Sequence, residues 1–224
     1  MSIQTTEYRE AVDHLPAGAI LVLQNISWKD YEQLLKDLVD HPGVRVSYDE
    51  GRLEIMSPLP EHEEYKDSIY RMVCAFAEAR GIEVETRGSA TWKRSSIRKG
   101  SEPDTCFYVA NAARIIGKRT IDLESDPPPD VVVEIDATNE SLSKFGIYAA
   151  LGVPEIWRYD GRETRLYKLS GAAYAEIPES ISLPGLTAQR ITAFVDDARK
   201  HGQTKAVTSF RNELRSRKTR KRRR

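Results

Sequence analysis

Glu134 lies inside VVVEID (131–136), a short and nearly continuous apolar run of the kind that fills a central strand covered on both faces. Side chains alternate across a strand, so Asp130, Val132, Glu134 and Asp136 share one face and Val131, Val133 and Ile135 the other. A carboxylate in such a run is costly unless it is paired, hydrogen-bonded or bound to a metal, so Glu134 calls for a partner: a structural ion pair or a cation. A second acid, Asp104, follows Pro103 in EPDTCFY. Proline blocks ladder hydrogen bonding, which places Asp104 near a strand end, as a site residue or as a turn carboxylate. Lys144 heads a helical stripe completed by Ile147, Tyr148 and Leu151. It is either an inward lysine or one that snorkels from a first helical turn. Together, an aspartate on one strand, a glutamate on the next central strand and a lysine just after it match a metal-and-lysine phosphodiesterase site. Two carboxylates suit a hard cation such as Mg²⁺ or Mn²⁺. With no cation bound, the acid cluster is expected to repel itself, so that removing Glu134 would stabilise the fold.

Other residues could assist. Glu61 and His62 open a helix, and Glu61 is in register with Tyr65 on the inward stripe; a charge that complements the helix dipole is the plainer reading. Asp136 could bind a second ion or hold Lys144. Lys93 and Arg94 could meet a phosphate backbone, or simply form the solvated face of an alternating strand.

The elements that must position these groups follow from periodicity. Ser27 precedes an amphipathic run that predicts a helix from about Trp28 to Asp40, stopped by Pro42 and Gly43. Val44, Val46 and Tyr48, a turn at Asp49, Glu50 and Gly51, then Leu53 and Ile55 read as a hairpin. A helix from about Glu61 to Arg80 ends at Gly81. Strands are expected around 82–86, 90–93, 103–109 and 131–136. Thr138, Asn139 and Ser141 offer caps for a helix through Leu151, followed by strands at 155–160, 165–169 and 174–177 and a helix over 188–200. This order implies an α/β sandwich around a mixed sheet.

A net charge of zero hides an uneven distribution. Residues 211–224 carry nine basic side chains against the single acid Glu213, and the remaining 210 carry 25 basic and 33 acidic, a net −8. The acidic body argues against a strong nucleic-acid binder, although acids around a metal are natural. The cationic end is expected to engage nucleic acid or to be a disordered, solubilising tail. Cys74 and Cys106 show neither CxxC spacing nor a histidine pattern, so neither a zinc site nor a disulfide framework is suggested. No apolar stretch approaches membrane-spanning length and the N-terminus lacks a signal-peptide pattern, so a cytoplasmic protein is expected.

The runs PPPDVVVEIDATNESLSKFGIYAALGVPEIWRYDG, EPDTCFY, YDEGRLEIMSPLPEHE and TWKR resemble the Uma-two family of restriction-endonuclease-like proteins, in the PD-(D/E)XK nuclease superfamily. The resemblance spans about residues 44 to 161 and its pattern extends to about 213. It implies a restriction-endonuclease-like core with a mixed central sheet flanked by helices, Asp104 as the motif aspartate and Glu134 as the motif glutamate. The usual Glu-x-Lys would put lysine at 136, where Asp136 stands, so Lys144 is the lysine displaced onto the following helix. Glu61 and His62 fall in the family's SP…HE segment. The expected organisation is a single domain: an N-terminal extension with a helix (1–43), the nuclease-like core (44–202) and a basic tail (203–224). The implied activity is Mg²⁺-dependent endonucleolytic hydrolysis of DNA, with DNA and a second copy of the chain as partners. The alternative is a catalytically inactive nuclease fold that serves as a nucleic-acid-binding or interaction module.

Overall fold

The structure, a computed structural model, describes residues 3–39, 43–136 and 144–222, with side chains over 8–216 of these. Thr138, Asn139 and Ser141, expected to cap a helix, lie outside the described residues, as do Asp40 and Pro42. In chain order the elements are α1 (Ile3–Asp13), β1 (Ile20–Leu23), α2 (Trp28–Asp37), β2 (Arg45–Asp49), β3 (Arg52–Met56), α3 (Pro60–Arg80), β4 (Glu85–Thr86), β5 (Trp92–Arg94), β6 (Lys99–Ser101) and β7 (Thr105–Tyr108). They continue as α4 (Ala112–Ile115), β8 (Val131–Ile135), α5 (Phe145–Leu151), β9 (Glu155–Tyr159), β10 (Thr164–Ser170), β11 (Ala173–Ile177), α6 (Ala188–His201) and α7 (Gln203–Arg222).

Among the described residues the strands form two sheets. The larger runs β11-β10-β9-β8-β7-β4 and is mixed, because β8 and β9 are parallel while every other neighbouring pair is antiparallel. A parallel pair needs a crossover, and α5 lies in that connection. The smaller sheet, β1-β3-β2-β6-β5, is antiparallel throughout. The α/β architecture expected from the sequence, a mixed central sheet flanked by helices, is thus present. Val131, Val133 and Ile135 face α3, α6 and α7, whereas Val132 packs with Ile147, Tyr148 and Leu151 of α5. The alternation read from VVVEID therefore holds, and it turns Glu134 toward α5 and the smaller sheet.

Local chemistry explains several boundaries. Ser27 caps α2 by accepting from Asp30 N at 3.1 Å. The hairpin turns on Glu50 and Gly51, both with positive φ, as the favoured two-residue turns require. Five elements were not anticipated: α1, β1, β6, α4 and α7. β6 is the consequential one, because it carries Ser101 into the site. Its sequence, KGS, has no apolar pattern, and Gly100 is there because a Cβ would stand 2.3 Å from the Tyr31 hydroxyl oxygen.

Gln203–Arg222 is helical, unlike the disordered tail that was one of the two expectations for this segment. Ala206, Val207, Phe210 and Leu214 are buried in the same cluster as α3 and α6, an apolar stripe masked in the sequence by the cations that follow it. Among the described residues no helix is long and apolar enough to cross a membrane.

Candidate active site

Asp104 sits immediately before β7, where its backbone N–H donates to Val133 O at 3.1 Å and its Oδ2 accepts from Ile135 N at 2.8 Å. One residue thus staples β7 to β8, with its carboxylate aimed along the end of the central strand. Its Oδ1 is buried with no hydrogen-bond partner. Glu134, 1% exposed, is gripped from α5: Oε2 accepts from Lys144 Nζ at 2.9 Å and Oε1 from the Tyr148 hydroxyl. Lys144 and Tyr148 lie one helical turn apart, so a short helix delivers both groups to one carboxylate. The Tyr148 hydroxyl oxygen in turn accepts from Ser101 Oγ at 3.1 Å, which ties the site to the smaller sheet.

Burial pushes the Glu134 carboxyl up to about 7; Lys144 opposes this, Asp104 adds to it and the Tyr148 hydrogen bond opposes it. For Lys144, burial works against the charge, but Glu134 and Asp104 outweigh it and hold the ammonium above its ordinary value. The repulsion expected between the acids is present as the push of Asp104 on Glu134, but it is opposed by Lys144 on one Glu134 oxygen and by Tyr148 on the other. The ion pair offered by the sequence as the structural alternative for Glu134 is present, and its cation is the lysine that the family resemblance assigns.

The other candidates are distributed differently. Asp136 is buried and pairs with the guanidinium of Arg158, its neighbour's side chain on β9, rather than holding Lys144. Glu61 is exposed at the start of α3 and His62 is the buried member of that pair. The first-turn acid that reaches the site is Glu63, through Arg45: a terminal guanidinium nitrogen of Arg45 donates to Glu63 Oε1 at 2.8 Å and its Nε stands 3.7 Å from Asp104 Oδ1. Lys93 pairs with Glu32 at 2.6 Å beside the Trp28 ring, and Arg94 donates to the carbonyls of Leu123 and Leu151, so both expected phosphate contacts have partners within the protein.

Sequence reasoning missed Arg45, Tyr148, Ser101 and Glu54. Glu54 is buried on β3, pairs with Arg52 at 2.7 Å and is among the acids that hold the Lys144 charge. Register places Glu54 opposite Ser47, and Ser47 opposite Ser101, so one polar row crosses the smaller sheet toward the site. Polar residues at alternating positions of RVSYD and RLEIM were a legible signal for that row.

Among the described residues no group of three or more His, Cys, Asp or Glu side chains is arranged to hold a metal. The two acids nevertheless fit a hard cation that keeps most of its waters. Their donors are oxygens, Asp104 Oδ1 is buried and lacks a hydrogen bond, and the raised Glu134 carboxyl marks a place where added positive charge is favourable.

Comparison with known proteins bears on this geometry. Residues 28–208 match the family model Uma2, described as "Putative restriction endonuclease". No curated protein matches significantly. Among solved structures, the chain is similar to a crystal structure from Anabaena variabilis ATCC 29413, described as "a putative nuclease belonging to DUF820". The TM-score is 0.52 at 15% identity, covering 76% of this chain and 99% of that one. At that identity the likeness is one of fold.

Proposed function

The chain belongs to the Uma2 family, and on that premise we propose that it is a nuclease that hydrolyses DNA phosphodiester bonds with Mg²⁺ or Mn²⁺ held by Asp104 and Glu134. The observation that carries the reading is the convergence of Asp104, Glu134 and Lys144, from three separate elements, on one buried polar site. When bound, the cation would supply Lewis-acid stabilisation of phosphoryl oxygens and a water of lowered pKa. The chain's own residues do the rest. Asp104 is held by the Ile135 amide through Oδ2, which leaves Oδ1 directed to the site. Tyr148 and Ser101 fix the orientation of Glu134. Lys144 has three N–H donors, one of them committed to Glu134 Oε2, and its ammonium offsets the charge that builds on the phosphoryl group as water attacks.

Cytoplasmic location and pairing of two copies, which would let two sites meet two strands, belong to the same proposal. Cys74 and Cys106 are both free thiols, which suits a reducing compartment.

A second reading has its own observation: both Glu134 oxygens are already satisfied inside the protein, as in a closed structural pair. In that case the fold binds nucleic acid without turnover. A metal-dependent nicking assay on supercoiled, linear and single-stranded DNA separates the two. Cleavage that needs Mg²⁺ or Mn²⁺ and is lost in Asp104→Asn supports the nuclease; metal-independent binding with no cleavage of any substrate supports the inactive module.

A further inference from the structure

A cleft of about 520 Å³ opens at the start of α3, within the rough 300–1,000 Å³ range of ligand cavities, lined by Arg45, Leu59, Pro60, Glu63, Lys66 and Ser89. We propose that it is a phosphate-binding subsite that takes a backbone phosphate of the DNA strand adjacent to the one being cleaved. This rests on the nuclease reading and adds where the strand runs.

Two independent features converge there. The first is the N-terminus of a 21-residue helix whose N-cap, Leu59, makes no side-chain capping bond and whose first residue is proline. The helix dipole puts partial positive charge at this start, where Glu61 and Glu63 now supply the negative charge, a setting that favours an anion when Glu63 turns away. The second is Arg45, which lines the cleft although it is only 5% exposed. Its Nε makes no hydrogen bond and stands 3.7 Å from Asp104 Oδ1, while a terminal nitrogen is held by the part-exposed Glu63. A buried guanidinium whose terminal donor is held by an exchangeable carboxylate offers a planar fork that suits phosphate.

Glu63 currently bridges the two cations of the cleft, Arg45 at 2.8 Å and Lys66. Its side chain is 43% exposed, so a phosphate can take over these donors while the glutamate moves to solvent. Arg45 also spans to the catalytic acids, 3.7 Å from Asp104 Oδ1. A strand with its reacting phosphate at Asp104 would therefore lay a neighbouring phosphate against Arg45 and Lys66.

The test is titration with inorganic phosphate, then with a short single-stranded thymidine oligonucleotide, at low salt in EDTA, followed by backbone amide and arginine Nε–H resonances. The expected result is shifts at the first turn of α3 and at Arg45, with affinity roughly tenfold weaker in both Arg45→Met and Lys66→Met, as loss of one charge-assisted contact implies. Lys66 is part-exposed and, among the described residues, pairs only with the part-exposed Glu63 and the exposed Asp67, so Lys66→Met keeps the test valid if Arg45→Met fails to fold. No shift at α3 in the wild type, or unchanged affinity in Lys66→Met and in any folded Arg45→Met, overturns the subsite. Because the readout needs neither metal nor turnover, DNA cleavage with unchanged phosphate affinity in the variants would sink the subsite alone. Phosphate binding at α3 by a protein that cleaves nothing would sink the nuclease reading alone.

Discussion

Lys144 Nζ stands 2.9 Å from Glu134 Oε2, and both side chains are buried. A buried pair of this kind responds asymmetrically to mutation: loss of one partner strands the other, at a cost of about 3–5 kcal/mol, whereas replacing both is often neutral. Glu134→Ala is therefore expected to destabilise the metal-free protein, with Lys144 deprived of its hydrogen-bonded carboxylate and offset only by the charges of Asp104 and Glu54. At pH 8, Lys144→Met should be less stable than the double variant Glu134→Gln/Lys144→Met. Urea unfolding of the four proteins checks this, and a Glu134→Ala variant as stable as wild type would show that the pair contributes nothing.

The raised Glu134 carboxyl sets a pH dependence. A folded-state value of about 7 against an ordinary 4.5 means the folded protein holds a proton that the unfolded chain has released between those values. Stability in metal-free buffer is then greatest below the unfolded value and falls as pH rises through about 7, by on the order of 3 kcal/mol. Glu134→Gln should flatten this fall. A residual slope should remain from Glu102, whose carboxyl burial also raises. A wild-type stability that climbs from pH 5 to pH 7 would contradict the assignment.

Tyr148→Phe keeps the ring and removes the donor to Glu134 Oε1. The expected cost is about 1–3 kcal/mol, for a buried acceptor left unsatisfied. The Glu134 carboxyl should also move further up, because the Tyr148 bond opposes the upward shift. Carboxyl ¹³C NMR titration reads that movement directly, and a downward shift would remove Tyr148 from the site.

The two parts of α7 should behave differently. Phe210 is buried between α6 and α3, its ring packed on Phe194, so Phe210→Ala should cost about 3–5 kcal/mol. Deletion of residues 217–224 removes seven basic residues and no core side chain named above. The melting temperature should hold, while the salt slope of DNA binding becomes shallower by at most about 6, at roughly 0.9 per phosphate. An unchanged slope would assign the basic end to another partner.

Glu134 was legible because strand alternation fixes the direction of a side chain, Asp104 because Pro103 marks a strand end, and Lys144 because helical spacing fixes its stripe. Tyr148 was counted with the apolar stripe, since spacing shows which way a tyrosine points but not what its hydroxyl meets. Arg45 and Ser101 come from the smaller sheet, whose approach to α5 is a long-range packing outcome with no local pattern. Lys93 and Arg94 were read as free cations because their partners, Glu32 and two backbone carbonyls, are remote in sequence. The core role of α7 was hidden because charge density dominates its sequence, while four apolar residues decide its packing.

Single-turnover cleavage of supercoiled plasmid at saturating Mg²⁺, by wild type and by Lys144→Met with melting temperatures measured on the same preparations, tests the central claim most directly. Wild type is expected to cleave, and folded Lys144→Met to be slower by a factor on the order of 10² to 10⁴, the loss expected for one positioned charged group. A wild type that leaves the plasmid intact with both Mg²⁺ and Mn²⁺, or a Lys144→Met variant that cleaves at the wild-type rate, would contradict that claim.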